Sequence, residues 1–136
     1  MILDTGPIVA YFDADEAHHA WAVEQFDLAR TVFQSCEAVV TEALFLLSSH
    51  PPAQQALLEW VSDGVLALSF HIEDQAAAVR SLMQRCQDVP MSLADACLVR
   101  LSELKPRLPV LTLDSHFSIY RRNKRDLIPV ISSSRK

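Results

Sequence analysis

The chain has 136 residues, 50% of them apolar, with two glycines and a formal net charge of −5. That length and apolar content fit one folded domain and exclude a disordered chain. The acidic balance excludes a protein that holds nucleic acid by bulk charge, and no apolar run is long enough for a transmembrane helix. Cys36, Cys86 and Cys97 lack CxxC spacing, so free thiols in a reducing cytoplasm are expected. No basic-then-apolar leader precedes the first motif, and none is expected.

The first apolar run, Met1-Ile2-Leu3, ends in Asp4-Thr5-Gly6. It predicts a short central strand that delivers Asp4 to the C-terminal edge of a sheet, where α/β proteins bind ligands. Pro7 suits the first turn of a helix, with Ile8, Val9, Tyr11 and Phe12 as its apolar face. A turn at 13–16 leads to a helix over 18–29, with Trp21, Ala22, Phe26 and Leu28 at helical spacing. Residues 31–33 read as a second strand and 39–47 as an amphipathic helix holding Glu42. Pro51-Pro52 ends that stretch and a helix over 53–61 follows. Asp63-Gly64 is a turn signal, 65–70 a strand, and 73–86 a helix. Pro90 breaks the chain before a helix over 92–104 that carries Asp95. Val110-Leu111-Thr112-Leu113 is the next strand and ends, like the first, in an acid and a hydroxyl, Asp114-Ser115. A short helix over 116–122 and an edge strand over 127–131 complete the reading; Pro129 suits only an edge. Apolar strands alternating with helices imply a mostly parallel sheet in a three-layer α/β/α sandwich. One domain over 1–131 and a frayed tail over 132–136 are expected.

Four acids stand inside or beside these apolar segments: Asp4, Glu42, Asp95 and Asp114. Each has a plainer reading. Asp4 and Asp114 suit N-caps, Asp95 stands three residues after Ser92 as in a capping box, and Glu42 suits a first helical turn. Taken together they point elsewhere. No Lys or Arg stands three or four residues before Glu42 or Asp95, and buried carboxylates need partners. Two carboxylates about 5 Å apart repel by about 3 kcal/mol at an effective dielectric of 20. Four converging acids oppose folding unless cations bind, and hard divalent ions take oxygen ligands. Such a site suits phosphodiester hydrolysis by metal-activated water. Thr5, Thr112 and Ser115 are candidates to orient the carboxylates.

Met1-Ile2-Leu3-Asp4-Thr5-Gly6-Pro7, Thr41-Glu42-Ala43, Ser92-Leu93-Ala94-Asp95-Ala96 and Leu111-Thr112-Leu113-Asp114-Ser115-His116-Phe117 resemble, in order, the four acidic motifs of PIN-domain ribonucleases. The VapC-type toxins of toxin–antitoxin pairs belong to that family. The resemblance spans essentially the whole chain. It implies a parallel α/β/α sandwich and a Mg2+- or Mn2+-dependent endoribonuclease whose metal-binding and catalytic acids are Asp4, Glu42, Asp95 and Asp114. It also implies a homodimer and a small cognate antitoxin. Many relatives carry a further acid where His116 stands, which bears on whether a second ion binds. Some relatives with a run like Tyr120-Arg121-Arg122 are not demonstrably toxins. Arg121, Arg122, Lys124 and Arg125 are the candidate RNA-binding cluster; a solvated C-terminal helix is the plainer reading.

Rivals fit less well. The Asp4-Thr5-Gly6 tripeptide matches aspartic proteases, which need a β-rich fold. A dehalogenase-type phosphatase wants an acid where Gly6 stands, and a receiver domain wants a Lys at a late strand end. The serious alternative is a catalytically weak PIN-like module that binds RNA or protein.

Overall fold

The computed structural model describes residues 1–133. In chain order the elements are β1 (Ile2–Leu3), α1 (Thr5–Phe12), α2 (His19–Ala29), β2 (Phe33–Gln34), α3 (Glu37–Leu46), α4 (Pro51–Ser62), β3 (Leu66–Ala67), α5 (Ile72–Arg85), α6 (Leu93–Leu104) and β4 (Val110–Leu111). A 3-10 turn over Ser115–Ser118 follows, then β5 (Arg121–Arg122), β6 (Asp126–Leu127) and β7 (Val130–Ile131). The expectation of a frayed tail falls partly on residues 134–136, which lie outside the described residues.

The main sheet runs in the order β3-β2-β1-β4-β7, and every pairing in it is parallel. Ile2 pairs with both Gln34 and Val110, and Leu3 with Leu111, so β1 is central as expected. Successive strand residues face opposite sides of a sheet. Ile2, Leu3, Val110 and Leu111 are all fully buried, so helices cover both faces and the fold is a three-layer α/β/α sandwich. This excludes the β-rich architecture an aspartic protease needs. Strand order reverses across β1 and β4, the kind of point where a crevice opens at the C-terminal edge. Asp4 and Thr112 follow those two strands directly. Gly6 lets α1 start close to that edge: a Cβ there would stand 3.2 Å from the Leu113 Cβ.

Four half-buried aromatic residues pack together against the core. Tyr11, Phe12, Phe26 and Trp60 stack on one another across α1, α2 and α4, and Phe26 meets Phe33 of β2 at 4.8 Å. β7 lies at the sheet edge beside β4, with Pro129 accepting from the Val110 N–H through its carbonyl, which uses the proline without asking it for a donor.

The segment 116–122 corrects the sequence reading. It is a 3-10 turn that opens into an antiparallel hairpin of β5 and β6. Asn123 and Lys124, at φ 51 and 74, form its left-handed corner. The loop between the paired Arg122 and Asp126 has three residues, and hairpin loops of this length call for a left-handed position that Gly usually fills. Lys in place of the usual Gly hides that position in the sequence.

Candidate carboxylate site

The cap readings and the site readings of the acids prove compatible. Asp4 is the N-cap of α1, accepting from the Thr5 N–H at 2.8 Å. Asp95 completes a capping box: its Oδ2 accepts from the Ser92 N–H at 3.0 Å, and the Ser92 hydroxyl accepts from the Asp95 N–H at 3.0 Å. Asp114 caps the 3-10 turn through the His116 N–H at 2.9 Å. Three helix starts thus meet at one sheet edge, and the acid that caps each also faces the others. Glu42 differs from expectation. It is the sixth residue of α3, not a first-turn acid; Glu37 occupies that turn.

Hydrogen bonds join the group. Thr112 Oγ1 donates to Asp4 Oδ2 at 2.6 Å and accepts from the Asp114 N–H at 2.9 Å. Thr5 Oγ1 donates to Glu42 Oε2 at 2.9 Å. The His116 ring stands over Asp114, Nδ1 to Oδ1 at 2.8 Å. Tyr120 donates to Asp95 Oδ2 at 3.2 Å. Thr5 and Thr112 thus each hydrogen-bond one of the four carboxylates. The Ser115 hydroxyl bonds none of the four carboxylates among the described residues; its carbonyl accepts from the Ser118 hydroxyl. The sequence reading misses His116 and Tyr120 in these roles. The adjacency of His116 to Asp114 is a legible signal, whereas Tyr120 reaches Asp95 across 25 residues.

Burial is uneven. Asp4 is 6% exposed, and it is joined among the buried polar side chains by Thr5 and Thr112 of the same site. Glu42, Asp95 and Asp114 are half-buried. Burial, with smaller contributions from the Asp95 and Asp114 charges, pushes the Asp4 carboxyl up to about 6 against the pull of Thr112 and Thr5. Arg100 pairs with Glu103 and the His116 ring contacts Asp114; among the described residues Asp4, Glu42 and Asp95 have no basic partner. Arg100, five residues after Asp95, instead bonds Glu103 and Gln75.

An all-oxygen donor set around an uncompensated buried carboxylate has the chemistry a hard divalent cation wants. Among the described residues, however, no three His, Cys, Asp or Glu side chains stand in a preformed ligand cluster. Asp95 and Asp114 stand close enough to Asp4 to act on its charge, without the group forming such a cluster.

The capping box is testable by itself. Ser92→Ala should lower stability by about 1 kcal/mol, the usual cost of an N-cap, measured by urea unfolding. A loss below about 0.3 kcal/mol would show that α6 does not depend on it.

The basic cluster divides by role. Arg122 donates to the Ser102 and Pro106 carbonyls at 3.0 and 3.1 Å, and Arg121 to the carbonyls of Ser118, Ile119 and Tyr120. Both hold the hairpin in place. Lys124 and Arg125 are exposed. Lys124 lines a groove of about 310 Å³ together with Arg85, Ile119, Tyr120 and Arg121.

Comparison with known proteins agrees with this architecture. The PIN domain family profile matches residues 1–123. Ribonuclease VapC26 of Mycobacterium tuberculosis is 31% identical over 124 residues, covering 89% of this chain and 92% of that protein. The crystal structure of Mycobacterium tuberculosis VapC20, described as a sarcin-ricin loop cleaving toxin, superimposes with a TM-score of 0.78 at 19% identity, over 87% of this chain and 92% of that one. No helix among the described residues is long and apolar enough to cross a membrane. With its fold, its ordered acids and a family match over nearly all its length, this chain belongs to the PIN domain family.

Proposed function

We propose that the protein is a Mg2+- or Mn2+-dependent endoribonuclease, the toxin of a type II toxin–antitoxin pair, acting in the cytoplasm as a homodimer held in check by a small cognate antitoxin. The observation that carries this reading is Asp4: a buried carboxylate with no basic partner among the described residues, clasped by Thr5 and Thr112, with Asp95 and Asp114 close enough to raise its pKa. Asp4, Glu42, Asp95 and Asp114 are the residues that would hold the ion. A bound divalent ion supplies an activated water and neutralises charge on the scissile phosphate. The chain's own part is to fix the acids. Thr112 ties Asp4 to the turn that carries Asp114, Thr5 ties α1 to Glu42, and the capping box orients Asp95. The name of the VapC26 relative supports ribonuclease action. The free state of all three cysteines accords with a reducing cytoplasm. Exposed apolar side chains at the end of α3, Phe45 at 75% and Leu46 at 56%, accord with a partner surface.

The absence of a preformed ligand cluster among the described residues favours a second reading, a PIN-like module that binds RNA or protein without cutting. One assay separates the two. Structured RNA is incubated with the protein and Mg2+ or Mn2+, with EDTA, and with Asp95→Asn. Cleavage that needs both metal and Asp95 supports the nuclease. Absence of cleavage, with metal still raising the melting temperature, supports the binding module. The amide that replaces the carboxylate keeps an oxygen for the Ser92 N–H, so the metal-free variant should melt near the wild type.

RNA contact is assigned to Lys124, which lines the groove with Arg85 and Arg121, and to the exposed Arg125. Lys124→Ala should weaken RNA binding and reduce the salt slope by about one unit, with little change in melting temperature. Arg122→Ala should do the reverse, since its guanidinium serves two carbonyls. It should cost about 2 kcal/mol of stability and leave the salt slope unchanged. A filter-binding series at rising salt beside thermal melts checks both.

A further inference from the structure

Tyr120 is 1% exposed, yet its hydroxyl reaches two acceptors at the N-terminal end of α6: Asp95 Oδ2 at 3.2 Å and the Pro90 carbonyl. A phenol has one proton to give, and a carboxylate is the stronger acceptor. A phenol is protonated at neutral pH, so the hydroxyl is a donor.

The ring cannot swing away. It meets Phe117 edge-on at 5.3 Å and stacks on His116 at 6.2 Å. The residues after it are fastened to the other end of α6: Arg122 to the Ser102 and Pro106 carbonyls, and the Asn123 N–H to Glu103 Oε2 at 2.6 Å. The segment 120–123 therefore grips α6 at both ends. The turn just before it carries Asp114, which His116 holds by Oδ1 through both ring and backbone nitrogens. Two acids from different elements, Asp95 and Asp114, are thus held by side chains of one short segment.

We infer that Tyr120 is a positioning residue of the carboxylate site, its hydroxyl fixing Asp95 by Oδ2 so that Oδ1 is left for the ion or its water. The inference rests on the nuclease reading above. Ser92 also bonds Oδ2, but from within the same helix start. Tyr120 adds the tie to the Asp114 side of the site.

The test is Tyr120→Phe, which removes the hydroxyl and keeps the ring. Mn2+ alone is the probe, its affinity read by electron paramagnetic resonance, beside steady-state RNA cleavage. Expected are a Mn2+ affinity about tenfold weaker, a kcat lower by about 10- to 100-fold and a KM for RNA within about twofold. In an Asp95→Asn background the same change should have no further effect on Mn2+ affinity. If the variant melts lower, affinity is measured well below its midpoint, so loss of stability does not mimic the result. Wild-type Mn2+ affinity and kcat in Tyr120→Phe overturn the inference, and so does an equal loss in the Asp95→Asn background. If the wild type neither binds Mn2+ nor cleaves, the nuclease reading fails and this inference falls with it; if the wild type does both, only the role of Tyr120 is in question.

Discussion

Asp4→Asn should abolish RNA cleavage and at the same time raise the melting temperature of the metal-free protein above pH 6. The two effects have one cause. Asp4 is buried, its carboxyl is raised from 3.8 to about 6, and burial is the main reason. A folded-state pKa above the unfolded one means that the folded state binds the proton more tightly. Stability from that protonation is fully present below pH 3.8, falls between 3.8 and about 6, and is gone above. A rise of that size corresponds to about 3 kcal/mol carried as a cost by the ionised group at neutral pH. Asn carries no charge and escapes this cost. Its amide fits the Thr5 N–H through oxygen but meets the Thr112 hydroxyl with a donor, which returns about 1 kcal/mol. The net gain of about 2 kcal/mol should raise the melting temperature at pH 7.5 in EDTA by about 5 °C. It should also flatten the decline in stability between pH 4 and 6. Cleavage should fall by at least about a thousandfold, as when a desolvated electrostatic partner is lost. Wild-type cleavage should decline below pH 6 with a slope of one, and the midpoint should move lower as Mn2+ is raised, because metal and proton compete for the same oxygens. A lower melting temperature for Asp4→Asn at pH 7.5 would show that Asp4 is a structural cap and not a strained site group.

The fold was legible because its signals are local. Ile2-Leu3 and Val110-Leu111 read as buried strands, and Asp4 and Asp114 as the acids at their ends. The proline in 127–131 marked an edge, and the helical spacing of Phe12 and Trp60 marked packing against the core. All follow from hydrophobic period and breaker chemistry within a few residues. What escaped depends on contacts that no local window contains. The hairpin at 121–127 is fixed by Glu103 and by the Ser102 and Pro106 carbonyls at the far end of α6. Its turn uses Asn123-Lys124 at positive φ, where Gly would have announced it. Tyr120 meets Asp95 only once that hairpin is in place. The basic run was legible as charge, but which of its members are committed to carbonyls was not, because exposed and anchored arginines look alike in sequence. The acids show the converse. Capping and site formation looked like competing explanations for Asp4, Asp95 and Asp114, yet helix N-termini gathered at one sheet edge make each cap a wall of the same crevice.

Thr112→Val tests how far that wall depends on one hydroxyl. Thr112 is fully buried, and Val matches its shape, so the packing of β4 survives. Two groups lose their partner at once: Asp4 Oδ2 its donor and the Asp114 N–H its acceptor. Leaving a buried carboxylate oxygen and a backbone N–H unsatisfied should cost about 2–4 kcal/mol, seen as a lower urea midpoint at unchanged slope. The sign of the pH dependence follows from the same bond. Thr112 pulls the Asp4 pKa down against burial; without it the carboxyl rises further above 6, and the deficit relative to wild type should widen as pH climbs through that range and narrow below it. Cleavage should fall by about 10- to 100-fold, the usual effect of removing a group that orients a metal-binding carboxylate. Thr112→Ser keeps the hydroxyl and should retain most activity at a packing cost of about 1 kcal/mol. A deficit in Thr112→Val that does not change with pH would separate Thr112 from Asp4 energetically. The tie between the two acid-bearing strand ends would then be geometric only.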